Sequence, residues 1–248
     1  MTAGWLGIVV MSLDYFRNVP HPFIIEKLPL PHEAAWLVAL KAHVLAALCS
    51  LPACLVLLST NFRARFPRVH RWLGRVTAVV VLLALVPSGF VLALTARGGL
   101  AGTLGFMLSG IVVVVAMVRA VARARAGDVG EHRRAARHVV AQLSVAVTSR
   151  AMLAGLGFVG LHGDDVYLAA LWIPVLGSCL IVEAMEPRAH RSPAARGWLR
   201  FSFAGMAAAV LLAALLVLLP PANTLASEPP RNVAEAHLAQ RLVRPLTA

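Results

Sequence analysis

Apolar runs of about bilayer-crossing length, each closed by charge, alternate along this chain with short segments rich in arginine or aspartate. Crossing ~30 Å of hydrocarbon takes about 20 residues at ~1.5 Å rise per residue. Five runs approach or exceed that length: Trp36 to Thr60, Trp72 to Thr95, Leu100 to Val118, Val139 to Leu161 and Trp198 to Leu219. A sixth, Val166 to Ala184, is shorter and contains Pro174, but Asp164 and Asp165 before it and Glu186 and Arg188 after it frame it as a span. The leading apolar stretch, Trp5 to Leu13, crosses only if Met1 to Phe16 insert whole with local thinning of the bilayer, which predicts a short membrane helix. It lacks the basic leader and the small-residue cleavage pattern of a signal peptide. The pattern predicts an all-α fold, a polytopic transmembrane bundle of six long spans plus a short N-terminal membrane helix, over residues 1–219. From Pro220-Pro221 onward, through Glu228-Pro229-Pro230, residues 220–248 are expected to form a disordered or surface-lying extracytoplasmic tail.

Composition supports lipid as the solvent. The 248 residues are 59% hydrophobic and 14% charged, with a mean hydropathy of +0.78. One water-soluble domain has no interior large enough for that much apolar surface. The formal net charge of +12 does not point to nucleic acid, because the arginines lie between apolar runs and not on a water-facing surface with reading groups. Their placement reads instead as topology. Arg63, Arg65, Arg68 and Arg71 fall in the first long loop, Arg119, Arg123, Arg125, Arg133, Arg134 and Arg137 in the middle one, and Arg188, Arg191, Arg196 and Arg200 in the last. The intervening loops carry Arg97 in one case and only Asp164 and Asp165 in the other. The positive-inside rule therefore predicts a bacterial inner-membrane protein with loops 61–71, 119–137 and 185–200 in the cytoplasm and the C-terminal tail outside. Cys49, Cys54 and Cys179 all lie in apolar stretches without metal-ligand spacing and read as packing residues.

Inside lipid, helices pair through small residues that let backbones approach. Gly102, Gly105 and Ser109 share one helical face, and Ala151 and Gly155 share another. Pro52, Pro87 with Gly89, and Pro174 each fall within a span and are expected to kink it.

Few polar side chains are placed for chemistry. Arg150 lies ~18 Å from the cytoplasmic end of its predicted span, a depth at which a charge costs roughly 2.5–3.5 kcal/mol on insertion scales. Its ordinary role is to bond backbone carbonyls. Its sharper role is to anchor an anion such as a haem propionate, a lipid headgroup or a substrate carboxylate. His43 sits ~10 Å inside the outer end of the first long span, as a hydrogen-bonded packing residue or as a ligand. His70 opens one helix, and His132 and His138 open another at the same membrane surface. Two imidazoles at one depth on different helices suit the axial positions of a haem iron, while an interfacial basic belt against anionic lipid is the plainer reading. His138 should share a face with Gln142, and His132 should face as Arg150 does, five whole turns away on an unbroken helix. Glu183, the only acid within a span, reads as interfacial. A nucleophile with a paired base, a carboxylate dyad and a glycine-rich phosphate loop are all missing from the sequence, so a soluble-type hydrolase or nucleotide-driven pump is disfavoured and enzymatic activity is left open.

These segments form a series: His43, Arg63-x-Arg65, His70-Arg71-x-x-Gly74-Arg75, Gly99, Gly105-Phe106, Ala120, Gly127-Asp128-x-x-Glu131-His132-Arg133, Arg137 and Val147-Thr148-x-Arg150. In order and spacing the series resembles a bacterial membrane-protein family known as domain of unknown function twenty-three-oh-six, over a family-like core of residues 36–160. The chain departs from the pattern around Thr77, where an aromatic usually follows, and at Ala135 and Ala136, which replace a tryptophan-methionine pair. The resemblance implies the bundle and singles out His43, His70, His132 and Arg150 without implying their task. Three functions follow as expectations from the residues. One is a haem-binding or redox protein, with haem b held by His43, His70 and His132 or His138 and a propionate offset by Arg150. The second is a non-enzymatic bundle that binds or transports a small hydrophobic or anionic ligand. The third is a structural assembly partner in the lipid bilayer.

Overall fold

A computed structural model describes Ser12, Asp14–Phe16, Ile24, Lys27, Leu30 and residues 32–185. Apart from a single turn of 3-10 helix at Asp14–Phe16, the described chain is six helices, and it contains no strand. They are α1 (Glu33–Leu58), the short α2 (Thr60–Arg65), α3 (Pro67–Ala93), α4 (Gly99–Arg125), α5 (Val129–Phe158) and α6 (Asp164–Met185). All but α2 are long and apolar enough to cross a membrane, so the described residues contain five candidate spans. The predicted span from Trp198 to Leu219, the tail, and nearly all of the short N-terminal helix lie outside the described residues.

The helices run further than their apolar runs because helix geometry does not stop where hydrophobicity does. Pro67 supplies the first residue of α3, where its missing N–H has no intrahelical partner to lose. Asp128 caps α5, its carboxylate accepting from the Glu131 backbone N–H. The added turns are the polar ones that carry His70, His132 and His138, and α5, at ~45 Å, is longer than the hydrocarbon is thick.

The three prolines act differently. Pro52 and Pro174 sit within α1 and α6, whereas α3 widens into a π segment, Val81–Leu85, just before Pro87. Pro87 offers no N–H to the carbonyl four residues earlier, and the wider turn pairs the Val86 N–H with the Val81 carbonyl instead.

Helices α1, α3, α4 and α5 enclose one apolar core around Ala46, Cys54, Val81, Leu85, Val113, Met117 and Val139. Helix α6 packs outside this group, against α4 and α5. Small residues set the close approaches. A Cβ at Gly105 would stand 2.7 Å from Leu171 Cδ2, and one at Gly110 would run into the Phe90 ring at Cε1. The connectivity brings the C-termini of α1, α4 and α6 and the N-termini of α3 and α5 to one end, which is rich in arginine. The other end carries the Arg97–Asp164 ion pair at 2.8 Å, the Trp36 Nε1–H donating to Thr95 Oγ1 at 3.0 Å and the Lys27 ammonium on the Thr95 carbonyl at 2.8 Å.

Candidate functional site

Helices α3 and α5 both begin at the basic end, so His70 and His132 arrive there together, as their positions near two helix starts predict. His132, Arg63 and Arg71 all lie within electrostatic reach of His70. His132 Nδ1 lies 2.8 Å from the Ala120 carbonyl of α4. A carbonyl only accepts, so Nδ1 carries the hydrogen, and in the neutral imidazole Nε2 keeps its lone pair. That is the backbone bond by which a ligating histidine is commonly oriented. His70 Nδ1 is buried with no hydrogen-bond partner, an arrangement that costs about 1–3 kcal/mol when nothing satisfies it.

On the other side of α5, Arg134, His138 and Gln142 follow one another at four-residue spacing and face α6. Arg134 and Glu183 are 4% and 5% exposed. The guanidinium donates to Glu183 Oε2, and His138 Nε2 lies 2.8 Å from Glu183 Oε1. Glu131 ties this pair outward, 3.5 Å from both Arg134 and Arg119. One turn further in, the Gln142 amide donates to the Val175 carbonyl at 2.9 Å, Ser178 Oγ at 3.0 Å and Cys179 Sγ at 3.0 Å. Its oxygen accepts from Ser109 at 2.9 Å. His138 and Gln142 thus share a face as expected. Glu183 is no interfacial group but the centre of a buried ionic cluster, and Arg134 had not stood out among its neighbouring arginines. The run Glu131, Arg134, His138, Gln142 at spacings of three and four was the available sign of a polar stripe. Its partner on α6 was hidden because Glu183 stands alone in an apolar helix.

His43 and Arg150 lie away from both clusters. His43 is ~15 Å from the start of α1, and Arg150 is ~12 Å from the end of α5, both measured from the end opposite the basic one. His43 Nδ1 donates to the Leu85 carbonyl at 3.0 Å, at the close of the π segment, with Ser88 Oγ at 3.3 Å. Its ring occupies the space that a Cβ at Gly89 would invade, 3.0 Å from Cε1. Arg150 Nη1 donates to its own helix at the Ala146 carbonyl, 2.8 Å away, and its charge reaches His43 and Tyr15. A turn at Ser144 interrupts α5, so whole-turn counting from His132 to Arg150 does not carry across it. The structure therefore bonds His138 and Arg134 to Glu183, and sets His70 and His132, and separately His43 and Arg150, no nearer than electrostatic reach.

Among the described residues, no three His, Cys, Asp or Glu side chains gather as a set able to hold a metal ion. A family model described as "Predicted membrane protein (DUF2306)" matches residues 40–186, more than half of the chain. No curated protein and no solved structure matches the chain.

Proposed function

The chain belongs to this family of predicted membrane proteins, and from that premise we propose that it binds haem at its basic end, where His70 and His132 would hold the group. The observation that carries this reading is the arrival of two imidazoles from different helices at the same end, within electrostatic reach of each other. His132 is locked by Ala120 with Nε2 as the free lone pair, and His70 has a buried ring nitrogen without a partner. A bare metal ion asks for three or four protein donors. Haem brings four nitrogens of its own and asks for two, which fits the donor set here. Bound haem would supply a one-electron carrier whose potential depends on its axial ligands and surroundings. Arg63 and Arg71, whose charges bear on His70, would offset propionates, whereas Arg150 lies toward the opposite end of the bundle. His138 is left out of this pair of histidines because its Nε2 already engages Glu183. In this reading the basic end faces the cytoplasm of a bacterial cell.

The test is the absorbance spectrum of detergent-purified protein from haem-replete cells. A Soret band is expected, lost in the His70→Ala/His132→Ala double variant and retained in His43→Ala. A colourless wild-type preparation overturns the proposal.

One observation favours a second reading, a binding bundle for a small anionic amphiphile. Among the described residues, the Arg150 guanidinium is exposed deep within a span with a single backbone acceptor. In lipid such a charge calls for a counter-ion. Native mass spectrometry would show an anionic adduct on the wild type that Arg150→Gln lacks; equal adducts on both would rule it out.

A further inference from the structure

The cluster of Arg134, Glu183 and His138 takes no part in holding haem, yet it places an imidazole and a carboxylate 2.8 Å apart inside the bundle. We propose that this cluster is a proton-binding site, taking up one proton from the basic end when the haem iron is reduced. The proposal rests on the haem reading above.

The charge pattern supports it. Arg134 is a permanent cation and offsets the Glu183 carboxylate. That leaves His138 as the group in the cluster whose unperturbed range lies nearest neutrality. With the imidazole neutral the cluster has no net charge; with one proton more it has a single positive charge. Other charged or titratable groups among the described residues also bear on it. From α5 come Glu131, bonded to Arg134, and Arg137, next to His138 in sequence; from α4 comes Arg119, bonded to Glu131. Cys179 stands one turn from Glu183 on α6, and the α1 side of the same core contributes the Cys54 thiol among apolar residues.

Two further features suit the role. Glu131 links the buried Arg134 to Arg119 nearer the surface, giving a polar approach from the basic end. Gln142 fastens α5 to α6 one turn deeper without titrating, which fixes the approach of His138 to Glu183. His132 and His138 are on the same helix, ~9 Å apart along its axis. In a protein interior of effective dielectric about 20, one negative charge added at that range strengthens proton binding by on the order of tenfold. For each electron that the electrode supplies to bound haem, the cluster would gain one proton from the buffered water.

The experiment is a spectroelectrochemical titration of the purified haem-bound protein between about pH 5.5 and pH 8.5. The wild-type midpoint is expected to fall as pH rises, by ~59 mV in total, the equivalent of a tenfold change for a one-electron couple. His138→Gln retains an amide donor for Glu183 and is expected to keep the Soret band with a midpoint independent of pH. Glu183→Gln leaves Arg134 with only the long Glu131 contact beside His138 and is expected to flatten the curve too, so either variant serves if the other fails to fold. A pH-independent wild type, or a folded His138→Gln protein with the wild-type dependence, overturns the proposal while leaving the haem reading in place. A wild type without a Soret band overturns both, and it is seen before any titration begins.

Discussion

Replacing Glu183 by alanine is the sharpest test of how the bundle is held together. The carboxylate is bonded to Arg134 and His138, and the Arg134 and Glu183 side chains are 5% and 6% exposed. Glu131, 3.5 Å away, gives the guanidinium only a long second contact. Deleting Glu183 therefore leaves a buried cation almost alone, and breaking one side of such a pair costs about 3–5 kcal/mol. At roughly 2–4 °C per kcal/mol for a chain of this size, the melting midpoint in detergent should fall by roughly 6–20 °C. The readout is thermal unfolding followed by circular dichroism or by size-exclusion chromatography of heated samples. The same reasoning predicts the opposite for the whole cluster. A chain carrying Arg134→Met, His138→Leu and Glu183→Leu together removes the desolvated charges and should recover most of the loss. A Glu183→Ala protein that melts within about 2 °C of the wild type would refute the account of a buried, mutually dependent cluster.

Other perturbations probe different contacts. Gly110→Ala drives a methyl group into the Phe90 ring at Cε1; overpacking of this kind should lower stability by about 1–3 kcal/mol in the same melting assay. Gln142→Leu strands Ser109 and the partners on α6, with an expected loss of about 1–3 kcal/mol and, by hydrogen exchange, faster opening between α5 and α6. Arg97→Ala removes an ion pair whose side chains are 50% and 64% exposed; its effect should stay below about 1 kcal/mol, and a large drop in melting temperature would contradict that. A reporter fused after Ala126 should signal a cytoplasmic location, and one fused after Gly163 an extracytoplasmic one; the reverse result would invert the proposed orientation.

The apolar runs determined that this chain is a helical membrane bundle, because partitioning into lipid depends on the summed hydropathy of a stretch and needs no knowledge of its neighbours. The same principle located five described spans to within a few residues on their apolar side. It missed their polar extensions at Pro67 and Val129, where capping and helix propagation continue beyond the hydrocarbon. The positions of His70 and His132 near two helix starts were enough to predict that they reach the same end. Tertiary structure alone decided the partnerships. Glu183 looked interfacial because a lone acid in an apolar helix carries no mark of what it will meet, and Arg134 was one arginine among six in its loop. The π segment before Pro87 and the turn at Ser144 changed which faces meet, placing Leu85 against His43 and breaking the count from His132 to Arg150. Buried polar groups pair across helices through rotation and close approach, and those quantities exist only once the helices have packed.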